Sequence, residues 1–273
     1  GRRTDPSRRS PQATNTRLRV TKPDETPTSP LLKLPAWPNI DFSQFGPVDM
    51  KPMSRIQTLV SSVMARNWVS IPHVTHHDEA DVSTLTTARR ALSESSGVKI
   101  TPVPYLVKAA VAALKAQPKF NASIDATGRN LVYKQYFHIG IAVDTPAGLL
   151  VPVIHDADKK SIPEIATELA ELSEMARTKG LPMDKMSGGC FSISSLGSLG
   201  GTAFTPIINA PEVAILGVSK TYEKPCRNGE AIAWKDMLPL SLSYDHRVIN
   251  GADAARFCVD FAKALAEPES LAK

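Results

Sequence analysis

The stretch Leu240 to Phe257, LSLSYDHRVINGADAARF, sets an aspartate, a histidine, an arginine, an asparagine and a glycine directly behind an apolar alternation. Leu240 and Leu242 alternate with Ser241 and Ser243, which predicts a strand, and a helix is expected to begin at Gly251 or Ala252. His246 therefore stands where a strand hands over to a helix, a rigid place from which side chains project into crevices in α/β folds. An imidazole there can serve as a general base, or it can be one more polar residue at a strand end. Asn250 has an equally simple structural reading, since asparagine followed three positions later by Asp253 is an ordinary helix N-cap arrangement. Asp245 and Arg247 flank the histidine and point away from it if the strand continues, which favours a structural ion pair over a part in chemistry.

A second candidate lies in FSISS. Phe191 and Ile193 alternate with Ser192 and Ser194, so both hydroxyls lie on the face opposite the hydrophobes. A serine held on a strand beside a glycine-rich turn can donate to a developing oxyanion, although an ordinary half-exposed strand serine fits the pattern equally. The glycines Gly197, Gly200 and Gly201 match no phosphate-binding spacing and suit a tight turn. His73, His76 and His77 invite a metal, but in a strand their side chains alternate between faces and converge poorly, so no metal site is expected. Cys190, Cys226 and Cys258 are far apart, with neither zinc-knuckle nor disulfide spacing.

The elements that must position these groups follow from periodicity. Ser54 precedes a helical stripe of Ile56, Leu59, Val60, Val63 and Met64 that ends near Trp68. IPHVTHHDEADV predicts a strand, with helices expected from Asp81 to Leu92 and from Pro104 to Ala116. QYFHIGIAVDTPAGLLVPVI predicts two strands around the turn TPAG. Ser161 and Glu164 form a capping box ahead of a helix that ends at Gly180. GCFSISSLGSLGG, APEVAILGVSK, AIAWKD and MLPLSLSYDH form a strand-rich last third, and Ala254, Phe257, Phe261 and Leu265 give the last helix its apolar side. The irregular alternation predicts one α/β domain on a mixed sheet.

Composition narrows the classes of function. At 273 residues with 42% hydrophobic content the chain can bury a substantial core. Of the net charge of +5, the excess falls on Arg2, Arg3, Arg8, Arg9, Arg17, Arg19 and Lys22, so the remainder has no polybasic surplus for nucleic acid. No stretch approaches the ~20 apolar residues that span a bilayer. A soluble, cytoplasmic protein in a reducing compartment, without nucleic-acid or membrane partners, is expected. Residues 1–40, rich in Pro, Ser, Thr and Arg, suit a flexible linker, which leaves 41–273 as the folded domain.

SYDHRVINGADAARF resembles the H-x-x-x-D-G signature of the 2-oxo acid dehydrogenase acyltransferases, which share it with chloramphenicol acetyltransferase. IPHVTHHDEADV, FHIGIAVDTPAGLLVPVI, CFSISSLGSLGGTAFTPIINAPEVAILGVSK and MLPLSLSYDHRVINGA follow in the family's order. GGTAFTPIINAPEVAILGVSK is most similar to the acetyl-transferring branch of bacterial pyruvate dehydrogenase complexes. The resemblance implies a chloramphenicol-acetyltransferase-like fold and transfer of acetyl between dihydrolipoamide and coenzyme A. His246 would be the base for the coenzyme A thiol, and a thiol near ~8.5 and an imidazole near ~6.5 are matched closely enough for proton transfer. Ser194 would stabilise the tetrahedral oxyanion. The family usually has aspartate at Asn250, so an obligatory carboxylate partner for His246 is ruled out there, while capping and hydrogen bonding remain.

By the same resemblance Phe204 and Leu216 would line the channel where the two substrates meet, and Arg89, or its neighbour Arg90, would lie near the coenzyme A phosphates. The family forms trimers in which His246 of one chain would face Ser194 of the next, and trimers assemble into a cube of twenty-four chains through apolar C-termini. The ending AEPESLAK is more polar than usual, which makes the trimer the firmer expectation. Lipoyl and peripheral-subunit-binding domains, through which pyruvate dehydrogenase and dihydrolipoamide dehydrogenase are held, would precede residue 1, so the lipoyl group would sit on a domain absent from this chain. A succinyl or branched-chain acyltransferase, a stand-alone antibiotic acetyltransferase and a non-catalytic core that scaffolds partner dehydrogenases are the alternatives. Asn250 and the polar ending keep the last of these open, and the linker argues against the antibiotic enzyme.

Overall fold

The computed structural model describes residues 37–146 and 148–272. The expected linker, residues 1–40, lies almost entirely outside the described residues. The chain divides into two compact units, Gly1–Asp49 and Met50–Lys273, and every candidate site residue falls in the second. In the first unit a 3-10 turn spans Phe42–Phe45, with the Asp41 carboxylate accepting the Ser43 N–H at 3.0 Å.

The second unit opens on α1 (Arg55–Ser70), which starts where the sequence predicts because Ser54 and Gln57 cap each other reciprocally. β1 (His73–Asp81) follows. α2 (Leu85–Ser96) begins later than the apolar spacing suggests, because the Asp81 carboxylate accepts both the N–H and the hydroxyl of Ser83 and holds a turn there. α3 (Val103–Ala116) is the most deeply buried helix. β2 (Ala122–Ile124) and β3 (Leu131–Tyr133) make a small hairpin.

The predicted two-strand segment breaks into four short pieces. β4 (Ile139–Ile141) and β7 (Val153–Ile154) join the main sheet, while β5 (Val143–Thr145) and β6 (Gly148–Leu150) pair with each other. α4 (Ile162–Thr178) carries the Ser161–Glu164 capping box. β8 (Phe191–Ser195) and β9 (Ala214–Val218) fall within GCFSISSLGSLGG and APEVAILGVSK, each shorter than the segment.

β10 (Tyr222–Asn228) escapes a search for alternation, because TYEKPCRN is largely exposed and contains Pro225. It pairs through a tight turn at Gly229 with β11 (Ala231–Asp245), which fuses the two strands expected from AIAWKD and MLPLSLSYDH. Pro239 does not break that strand. Its carbonyl accepts the Ser219 N–H, so its nitrogen faces the same edge, between Met237, the last residue paired to β10, and Leu240, the first paired to β9, and the β1 ladder, where it stands opposite Glu79, loses no donor. α5 (Gly251–Ala266) and α6 (Pro268–Leu271) complete the unit.

The main sheet runs β1-β11-β9-β8-β4-β7, with β10 attached to β11. β8 is parallel to both neighbours and the other pairings are antiparallel, so the sheet is mixed as predicted. Ile193, Leu216 and Leu242 share one face and pack into the core with α3, α4 and α5. Phe257 at its centre meets Phe120 at 4.3 Å and Phe191 at 5.4 Å between ring centroids. Each of these fully buried rings contributes roughly 1.5–3 kcal/mol. The opposite face is hydroxyl-rich, with Ser192, Ser241 and Ser243 buried. This face, and the strand ends that frame it, carry the candidate residues.

Candidate active site

β8 and β9 run parallel, and a cleft of about 910 Å³ opens past their C-terminal ends. Ends of parallel strands are where α/β sheets place ligands, because the loops diverge there and leave a crevice. Ser194 and Ser195 line this cleft, together with three cationic side chains: Arg89 from α2, Arg177 from α4 and Lys220 just after β9. Arg89 gives one guanidinium N–H to the Ile100 carbonyl at 2.9 Å, which anchors the side chain at the cleft wall. Arg90 is exposed and does not line the cleft. Arg177 and Lys220 carry no signal in the sequence, since residues so far apart converge only through the fold.

The two serines of FSISS part company. Ser192 is buried and donates to Glu212 Oε1 at 2.9 Å. Ser194 Oγ has no hydrogen-bond partner among the described residues, so its donor is available to a ligand. Glu212, which the sequence shows only as the start of an apolar strand, is fully buried. Burial pushes its carboxyl up to about 7, against the lowering effects of the Ser192 hydroxyl and the Lys134 ammonium. It anchors β8 two residues before Ser194.

Strand register puts Ser194, Gly217, Ser241 and His77 in one row across β8, β9, β11 and β1, on the hydroxyl-rich face. The tip of the Phe204 ring presses on Gly217, where a methyl group would stand 2.5 Å from Cζ. The Phe204 N–H donates to Ser241 Oγ at 3.4 Å, and the same hydroxyl bonds His77 Nδ1 at 3.0 Å. Phe204 thus covers the strand position paired with Ser194, although it is not among the residues that line the cleft. Leu216 points to the other face of β9 and is completely buried in the core beside Ile193 and Leu242. A one-residue step along a strand reverses the face, so in this chain Leu216 supports the sheet from behind.

His246 is exposed directly beyond β11, its N–H extending the ladder to the Pro72 carbonyl at 3.0 Å. Its ring lies 5.7 Å from that of Tyr244. Asp245 and Arg247 form the expected ion pair, at 2.6 Å between Arg247 Nη2 and Asp245 Oδ2, with the carboxylate buried. Asn250 caps α5: its Oδ1 accepts the Asp253 N–H at 2.9 Å, and Asp253 returns a bond to the Asn250 N–H. Both members of this cap are fixed in place, and among the described residues the Asn250 amide nitrogen has no partner. His73 is structural, bonded to the Ile71 carbonyl through Nδ1 and to the Ile208 N–H through Nε2.

Within one chain His246 and Ser194 do not meet. Ser194 is level with Ser241, and His246 stands five residues further along β11. At strand rise the two are on the order of 15 Å apart or more. The cleft offers a hydroxyl and cations without an imidazole beside them, and His246 stands exposed at the other end of the same sheet.

Residues 46–273 match the family model described as the catalytic domain of the 2-oxoacid dehydrogenases acyltransferase. The acetyltransferase component of the Cupriavidus necator pyruvate dehydrogenase complex is 57% identical over 239 residues, which is 86% of this chain and 43% of that protein. The chain thus spans less than half the length of this curated relative. An Azotobacter vinelandii dihydrolipoamide acetyltransferase structure, determined to examine the roles of a serine, a histidine and an asparagine in its mechanism, superposes with a TM-score of 0.84 at 50% identity, covering 87% of this chain and 99% of that one. The cubic core of the pyruvate dehydrogenase multienzyme complex gives the same figures. Chloramphenicol acetyltransferase, at 15% identity, shares the fold with a TM-score of 0.50, covering 74% of this chain and 94% of that one.

Proposed function

Because this chain belongs to the 2-oxoacid dehydrogenase acyltransferase family, we propose that its folded part transfers acetyl between dihydrolipoamide and coenzyme A as the core acyltransferase of a pyruvate dehydrogenase complex. The observation that carries the reading is the division of the site. Ser194 sits in a cationic cleft, and His246 stands exposed at the far end of the sheet. In a closed ring of copies, each joined to the next by unlike surfaces, the His246 end of one chain can enter the cleft of its neighbour and complete a site at every interface.

In such an interface His246 accepts the coenzyme A thiol proton, and the thiolate attacks the acetyl thioester carbonyl. Ser194 donates to the oxygen as it becomes an oxyanion. When the tetrahedral intermediate collapses, the departing dihydrolipoyl thiolate takes back the proton held on His246. Asn250, locked by its cap to Asp253, can offer its amide to the imidazole or to substrate, and it brings no charge to the pair. Two lines support these roles. The serine, histidine and asparagine of the Azotobacter enzyme follow one another at the separations of Ser194, His246 and Asn250. Arg89, Arg177 and Lys220 give the cleft the charge that a phosphate-bearing acyl carrier needs.

The lipoyl group would arrive on a separate domain, as would the pyruvate dehydrogenase and dihydrolipoamide dehydrogenase partners. The trimer would extend to a cube if C-termini pair. Leu271 of α6 is buried against its own core.

Assay of acyl transfer from acetyl-, succinyl- and branched-chain acyl-coenzyme A to free dihydrolipoamide tests the reading. Acetyl should be preferred, and light scattering should give a mass of three chains or a multiple of three. Absence of turnover with every donor would instead favour a scaffold. Arg89→Ala should raise the KM for the coenzyme A substrate several-fold with little change in kcat, and Arg90→Ala should leave both unchanged. Equal effects of the two would remove Arg89 from the cleft wall.

A further inference from the structure

One cluster of ligand-bearing side chains lies apart from both halves of the site. His76 and Asp78 are two residues apart on β1, so they share the face that packs against α5, and Cys258 projects from α5 towards them. A nitrogen of His76, a carboxylate oxygen of Asp78 and the Cys258 sulfur all lie within 4.8 Å of one another. A tetrahedral zinc ion holds such atoms about 3.3–3.8 Å apart, given metal–ligand distances near 2.0–2.3 Å, so modest side-chain adjustment closes the set. Comparing the three histidines with one another, as the sequence invites, misses this group, because two of its ligands are not histidines and one comes from another element.

The side chains are left without competing partners. Among the described residues neither the His76 ring nor the Cys258 thiol makes a hydrogen bond or an ion pair, and Asp78 accepts only the adjacent Glu79 N–H at 2.8 Å. β1 is the edge strand of the sheet and His76 is half-buried, which gives an ion a way in.

We infer that His76, Asp78 and Cys258 form a binding site for a borderline-soft divalent cation, zinc above all, with the fourth position open to water. Imidazole, thiolate and carboxylate together are a ligand set for zinc and unsuited to magnesium or calcium, which take oxygen. On binding, the Cys258 thiol gives its proton to solvent and the sulfur becomes a metal ligand. The ion ties the edge strand to α5, the helix whose cap is Asn250. The site is structural and takes no part in acyl transfer.

Cobalt(II) is the probe. Titrated into the whole chain, it should bind one ion per chain with a thiolate-to-cobalt charge-transfer band and the strong visible bands of four-coordinate cobalt. Zinc should displace it and raise the melting temperature. Cys258→Ala should abolish the charge-transfer band. Because that substitution also removes a buried side chain, His76→Gln, on a half-buried strand position, is the second variant, and it should weaken binding by roughly 100-fold or more. A titration without the charge-transfer band, a band that survives Cys258→Ala, or an affinity unmoved by His76→Gln would overturn the site.

Discussion

Replacing His246 by alanine is expected to lower acetyl transfer between dihydrolipoamide and coenzyme A by at least ~100-fold, in kcat more than in KM. General base catalysis contributes that much because the attacking group must be a thiolate, and most of a free thiol is protonated near neutral pH. The loss should be functional and not structural. His246 is exposed, and its one bond in the fold, to the Pro72 carbonyl, is made by its backbone N–H, which alanine keeps. The melting temperature and mass of the variant should therefore match those of wild type. Unchanged turnover would sink the assignment of the base.

Ser194→Ala is the companion experiment. Removing one preorganised oxyanion donor costs roughly 2.7–4 kcal/mol of transition-state stabilisation, or ~10²–10³ in kcat, with the KM values little changed. Ser192→Ala separates donor from strand. Its hydroxyl is committed to Glu212, so its loss leaves a buried carboxyl without that bond and should act on stability first. The two inactive variants also test the divided site together. Mixed before assembly, chains lacking His246 and chains lacking Ser194 should recover roughly a quarter of wild-type activity, because a quarter of interfaces unite the two intact halves at random. A mixture no more active than its components would place base and donor in the same chain.

Much of this molecule is legible in its residue pattern, and the failures have physical causes. Capping residues located the starts of α1, α4 and α5, and alternation located β8, β9 and the end of β11. Apolar spacing starts α2 too early, since it cannot see that the Asp81 carboxylate holds a turn at Ser83. β10 carries no apolar alternation to detect. In the site, His246 and Asn250 stand in a local arrangement that a sequence displays. Ser192 and Ser194 are equivalent by pattern, and only the position of Glu212 distinguishes them. Arg177, Lys220 and the His76–Asp78–Cys258 group are assembled from separate elements, so spacing carries no trace of them. Leu216 shows the limit of transferring a role by resemblance: its strand was right and its face was wrong.

Phe204 rests on Gly217 where every other strand residue would interpose its own side chain. The surface next to Ser194 is accordingly built in two layers of different origin, a fixed strand that aims the hydroxyl and a loop-borne ring laid over it. Changes in the loop from 199 to 210 can reshape the surface beside Ser194 while the register of β8 and β9 stays as it is. Under the proposed acyl transfer, choice of acyl group and the ability to transfer it would be separately heritable, so one scaffold could diversify its substrates without rebuilding its catalyst.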